Sequence, residues 1–162
     1  MAEQVLENPT LPTLLFNIEG GHMLLPDIAI AEIIDYHPVD NADSEDLPDW
    51  WLGQLNWRGL EVPLISLESI NHGDFFTQKP SLKIIVVNAL HELKNSCGYW
   101  AFIALDTPKL QRIQSDSLAL AEGQGIGDVT LMDVELLGQS VSIPNMQKIE
   151  SLILPYHHPK AE

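Results

Sequence analysis

Apolar residues in this chain come mostly in short runs and alternations broken by turns, not at sustained helical spacing. Leu11 to Ile18 is rich in apolar residues, Glu19-Gly20-Gly21 follows as a turn, and His22 to Pro26 resumes as a strand. That pattern predicts a hairpin with a Gly-bearing loop. Ile28, Ile30, Ile33 and Ile34 are spaced irregularly, but their β-branching favours strand over helix for the second half of the stretch. Pro38 to Asp49 is a polar, acidic loop. Leu55 and Trp57, then Leu60, Val62 and Leu64, alternate around Arg58-Gly59, which predicts a hairpin with one face buried. Pro63 inside its second strand points to an edge position or a bulge.

Residues 68–80 read as a polar connection. Leu82 to Val87 is an aliphatic strand, Tyr99 to Leu105 its partner, and His91 to Gly98 the loop between them. Beyond Thr107, Leu110 and Ile113 mark a further strand. Leu118 to Gly127 reads as surface chain with three glycines. Val129 to Leu137 alternates, and Val141 and Ile143 form a short strand. Asn145 caps a helix from Met146 to Leu154, which Pro155 ends. Residues 1–10 are a loose lead-in and Tyr156 to Glu162 a frayed tail. Roughly nine or ten short strands and one or two short helices argue for an all-β chain of small barrels or a sandwich. No internal repeat is visible.

Composition narrows the function. The 162 residues suffice for one domain or two small subdomains sharing a core. Eight Lys plus Arg stand against 23 Asp plus Glu, a net charge of -15, the reverse of what a nucleic-acid binder or an anionic membrane surface requires. Residues 1–57 hold eleven carboxylates and no Lys or Arg, so Arg58 is the first cation. Such a surface steers basic partners or simply keeps the chain soluble. The single cysteine, Cys97, cannot form an internal disulfide, and a reduced intracellular compartment is the simplest expectation. The acidic N-terminus reads as neither a signal nor a transit peptide, so none is expected, and no aliphatic stretch approaches a membrane span of roughly 20 residues.

Candidate chemistry is sparse. His22, His37, His72 and His91 stand singly in or beside turns, His157 and His158 lie in the tail, and no metal-ligand spacing occurs. No serine sits in a nucleophile elbow, and Cys97 has no histidine partner by spacing. Gly123-Gln124-Gly125-Ile126-Gly127 lacks the strand before and the Lys-Ser/Thr after that a phosphate loop needs. Close carboxylates are uninformative among so many, and nothing marks Asp35, Asp106 or Asp133 as a poised acid. Arg58 stands out: if even partly covered it needs a carboxylate, and otherwise it is an exposed turn arginine. Trp50, Trp51 and Trp57 exceed what a small core needs, and the surplus suits a surface hot spot.

Glu32 with Ile33-Ile34, then Pro48 through Leu67 with Gly53, Leu55, Asn56, Arg58-Gly59, Pro63 and Leu67, resembles the CheW-like domain. Ile84 to Val87, Phe102 to Asp106 and Pro144 to Ile149 resemble its later strands and helix start, in the expected order. The resemblance implies a single CheW-like domain over 11–154, built as two small five-stranded SH3-like barrels sharing a core. Their expected extents are about 18–80 for subdomain 1, and about 11–17 with 81–144 for subdomain 2, with a C-terminal helix near 145–154. It implies no catalysis, no cofactor and no metal. It implies an adaptor between a chemoreceptor's coiled-coil tip and a CheA-type histidine kinase, cytoplasmic and associated with membrane-bound receptor arrays without membrane insertion.

The family's Glu-Arg pair falls on Glu32 and Arg58. The expected protein-interaction set is Glu32, Ile33, Ile34, Trp50, Trp51, Leu55, Asn56, Trp57, Arg58 and Gly59. Within it, Ile33, Ile34 and Leu55 would border an apolar groove, with at least one of the tryptophans at its rim. The kinase would meet the first subdomain. Departures from the pattern, at Leu105-Asp106, at 113–144 and in the acidic run 40–49, make type IV pili and twitching systems the nearest analogy. The alternatives are a regulator of the same partners that does not bridge them, and, from another class, a small hydrolase or ligand-binding barrel.

Overall fold

The protein's structure, a computed structural model, describes residues 10–18, 21–39, 47–67, 82–91, 93, 94, 97–114, 119–120, 130–136 and 138–156. The lead-in at 1–9, most of the acidic run at 40–46, the connection at 68–81, the Gly123–Gly127 segment, His72 and the tail with His157 and His158 lie outside the described residues.

The described strands are β1 (Thr10–Ile18), β2 (Gly21–Pro26), β3 (Ile30–Asp35), β4 (Trp51–Trp57), β5 (Leu60–Ile65), β6 (Lys83–Asn88), β7 (Tyr99–Ala104), β8 (Lys109–Gln114), β9 (Ala119–Leu120), β10 (Thr130–Leu136) and β11 (Gln139–Pro144). A 3-10 turn (Asp27–Ala29) precedes β3, and helix α1 (Met146–Ile153) runs into a second one (Leu154–Tyr156). The expected hairpins β1–β2, β4–β5 and β6–β7 all form. Asn145 caps α1 as its sequence position implied: its Oδ1 accepts from the Lys148 N–H at 3.1 Å.

Two sheets result, one ordered β8-β1-β2-β11-β10-β9 and one ordered β3-β6-β7-β5-β4. The division differs from the one expected. β2 stays with its hairpin partner β1, and β6 and β7 join β3, β4 and β5, so the five described strands from Ile30 to Ala104 form one sheet, the inserted sheet, that falls between β2 and β8 in chain order. Two short parallel contacts decide this, β11 on β2 at Ser142 and Met23, and β7 on β5 at Leu64 and Ala101, and no local pattern encodes either.

The two sheets also repeat one arrangement. Each has an outer strand antiparallel to a hairpin, whose second strand lies parallel to the second strand of another hairpin: β8, β1–β2, β11–β10 in one and β3, β6–β7, β5–β4 in the other. In chain order the first is a circular permutation of the second, which conceals the repeat from any linear reading.

Among the described residues three clusters fill the interior. Leu55, Val62, Leu64, Ile84, Val86, Ala101 and Ile103 lie within the inserted sheet. Leu24, Ile113, Val134, Leu136 and Val141 lie within the other. Between the sheets lies the largest, with Phe16, Met23, Leu25, Trp51, Ile65, Ile85, Val87, Trp100 and Phe102 from strands and Ile149 and Ile153 from α1. The solid aliphatic run of β6 follows: Ile84 and Val86 face one core while Ile85 and Val87 face the other. Leu110 and Ile113 have opposite strand parity and part accordingly, Leu110 exposed and Ile113 buried. Pro63 is on neither an edge strand nor a bulge. β5 is interior, but β7 pairs with it only at Leu64 and Ile65, so the missing N–H at Pro63 costs no bond on that side.

The interior also holds a carboxylate. Glu150 of α1 is fully buried and accepts backbone N–H bonds from Leu90 (2.9 Å), His91 (2.9 Å) and Leu93 (3.0 Å). It thereby ties the β6–β7 loop to the helix and satisfies donors that burial would otherwise orphan. Glu150→Ala should destabilise the fold by about 3 kcal/mol, since it strands the buried Leu93 N–H and removes the partner of two part-buried ones at Leu90 and His91. A denaturant midpoint within error of the wild type would contradict this role.

Candidate functional site

The β4–β5 hairpin turns on Arg58 and Gly59, and both have left-handed backbone, φ 51 and φ 77. Two positive values in a two-residue loop are what a type I′ turn demands, and Gly59 supplies one without strain. Arg58 is the one non-glycine residue with positive φ among the described residues, in a conformation that costs an ordinary side chain about 1–2 kcal/mol.

From this turn Arg58 reaches across to β3. Its Nη2 lies 3.3 Å from Glu32 Oε1, and its side chain is 66% exposed against 40% for Glu32. The expected pair is present, and it is an exposed one. The Trp57 Nε1–H donates to the same Glu32 oxygen at 2.8 Å. The Arg58 guanidinium lies over the Trp57 ring, 4.6 Å from its centroid. Tyr99 meets that ring edge-on at 4.8 Å. β3 and β4 are the two edges of the inserted sheet among the described residues, so Glu32 links one edge strand to the other through side chains.

The other expected residues separate. Asn56 and Gly59 are exposed beside Arg58. Leu55 is fully buried and Trp51 is 5% exposed, so both are core residues and cannot border an open groove. Ile33 and Ile34 are half-buried on opposite faces of β3, Ile33 against the shared core and Ile34 against the inner one, and cannot line one groove together. Trp50 is half-buried at the far end of β4, packed against Trp51 and edge-on to Tyr156 at 5.8 Å. The alternation around the turn had placed Leu60 inward, but it is 37% exposed and flanks Gly59. Ile28 and Leu90 are also exposed, and Asn88 Nδ2 donates to the Ile28 carbonyl between them.

Among the described residues no three His, Cys, Asp or Glu side chains are grouped to hold a metal ion. His22 is engaged structurally, its Nδ1 2.7 Å from Asn17 Oδ1 and its Nε2 2.8 Å from Gln139 Nε2. Burial raises the Cys97 thiol above its ordinary range, leaving little thiolate at neutral pH. Alkylation of Cys97 at pH 7.5 should therefore be much slower than in the unfolded chain. Equal rates would overturn that reading.

The turn geometry yields a second expectation. Arg58→Asn relieves the left-handed strain, since asparagine tolerates that region. It loses an exposed ion pair worth about 0–1 kcal/mol and a surface cation–π contact of about 0.5–1 kcal/mol. The terms offset, so stability should stay within about 1 kcal/mol of the wild type, whereas Arg58→Ala loses the contacts and keeps the strain. Asparagine destabilising as much as alanine in thermal or denaturant unfolding would refute this.

Comparison with known proteins agrees with this architecture. The family model described as the CheW-like domain matches residues 12–151. The crystal structure of the scaffolding protein TtCheW from Thermoanaerobacter tengcongensis superposes with a TM-score of 0.69 at 14% identity, covering 89% of this chain and 90% of that one. This likeness shows a shared fold. No curated protein matches the chain. No helix of the described residues is long and apolar enough to cross a membrane. With the family match spanning most of its length, the chain belongs to the CheW-like domain family.

Proposed function

We propose that the protein is a non-enzymatic adaptor coupling a chemoreceptor's coiled-coil tip to a histidine kinase, with the Arg58–Glu32 surface facing the receptor. The observation that carries this is Arg58 itself. It occupies a left-handed position that costs stability, and its guanidinium is two-thirds exposed. An exposed pair contributes little to folding, so a strained arginine there is accounted for by what it meets outside the chain. Asn56, Gly59 and Leu60 surround it on the same turn.

The kinase contact needs an aliphatic centre with charge confined to its rim. Exposed Ile28 and Leu90, on adjoining backbone, suit such a centre. The eleven carboxylates before Arg58 then act on encounter rate and partner choice. In this reading the protein works in the cytoplasm beside membrane-bound receptor arrays. The departures at Leu105-Asp106 and in the acidic run favour a system of the type IV pili and twitching kind.

A soluble receptor-tip fragment titrated against wild type and Arg58→Asn tests the receptor contact. Binding should fall at least tenfold in the variant with the fold intact, and absence of binding to the wild type would sink the adaptor reading. Association with the kinase's regulatory domain should slow as salt rises while dissociation stays nearly constant. A flat association rate would return the charge to a role in solubility alone.

A further inference from the structure

We infer that Trp57 is the positioning residue of the Arg58–Glu32 surface: it meets no partner itself and fixes the two charged groups that do. What the surface is for rests on the adaptor reading, whereas how it is held rests on geometry alone. Trp57 is 6% exposed, so a partner can touch little of it. Both of its polar capacities face the pair: the indole N–H is spent on Glu32 Oε1 at 2.8 Å, and the ring face lies beneath the Arg58 guanidinium at 4.6 Å. Tyr99 braces the ring from its edge, and Glu32 Oε1 receives both Trp57 Nε1 and Arg58 Nη2, so one oxygen registers all three residues.

Without such a platform an exposed Arg–Glu pair is loose, because two long side chains retain many rotamers and water competes for each charge. A buried indole removes that freedom before binding, which lowers the ordering cost at association. The left-handed φ at Arg58 is the third constraint, since the side chain extending from it lies back over the preceding residue's ring. A tryptophan serving the core alone would need neither its N–H aimed at a partly exposed carboxylate nor a cation on its face.

Full-length protein and the variants Trp57→Leu, Trp57→Phe, Glu32→Gln, Arg58→Ala and the Trp57→Leu/Arg58→Ala double variant test this by NMR and binding. In the wild type the Arg58 side-chain protons should be shifted upfield by the indole ring current, clear of those of exposed Arg112. That shift should persist in Glu32→Gln, shrink in Trp57→Phe and vanish in Trp57→Leu. The Trp57 indole N–H resonance should move in Glu32→Gln, a readout available even if Trp57→Leu does not fold. Against a receptor-tip fragment, Trp57→Leu should weaken binding by about the same factor as Arg58→Ala, about tenfold, and the double variant should bind no more weakly than either. Trp57→Phe should recover part of the loss. Arg58 protons insensitive to Trp57→Leu, an indole signal unmoved in Glu32→Gln, or additive binding losses would overturn the inference. If the fragment binds no form of the protein, the adaptor reading fails while the spectra still decide whether Trp57 positions the pair.

Discussion

The structure depends on one sheet having to bury both of its faces. The inserted sheet β3-β6-β7-β5-β4 encloses a core on one side and shares a larger one with its neighbour on the other. Each fully buried Ile, Val or Leu on either face contributes about 1.5–3 kcal/mol, so neither face can be left to water. α1 covers the shared core with Ile149 and Ile153, one helical turn apart, and the residue beside Ile149 is the buried Glu150. A charge in that place is tolerable because three backbone donors of the β6–β7 loop meet it. The helix is thereby both a lid on the shared core and an anchor for the loop that carries exposed Leu90.

The hairpins were legible because their information is local. Alternation across Arg58-Gly59 and the Gly-bearing turn after Ile18 fix both strand and register within a few residues. The sheet division was not legible, because it hangs on two parallel contacts between segments far apart in the chain. The repeated strand arrangement escaped for a related reason: permuting the chain order removes the fixed sequence period by which repeats are found. Glu150 was hidden by the abundance of acids. Its one signal was position, a carboxylate between two isoleucines on the apolar side of a short amphipathic helix.

At the site, residue chemistry was more legible than exposure. The pairing of Glu32 with Arg58 is present, as the family resemblance implied, and the positive φ agrees with Gly59 as a turn residue. The groove assigned to Ile33, Ile34 and Leu55 failed on strand parity. Adjacent residues on β3 face opposite cores, and Leu55 points inward with Trp57. Aromatic excess near residues 50–57 suggested a surface hot spot, but the rings pack instead: Trp51 in the shared core, Trp50 against Tyr156, Trp57 between Tyr99 and Arg58.

The side-chain link between the edge strands of the inserted sheet is also the surface proposed for recognition. No backbone ladder joins β3 to β4 among the described residues, so this link is made by side chains alone. Glu32 makes that link with one oxygen, which accepts from the Trp57 N–H, and the same oxygen orients Arg58. Folding and recognition therefore draw on one carboxylate in different ways. The Trp57 bond is part-buried and links the two edge strands. The Arg58 contact is in water, weak for stability, and strained at its backbone. Evolution can change Arg58 without losing this link, because the bond from Trp57 to Glu32 does not pass through it.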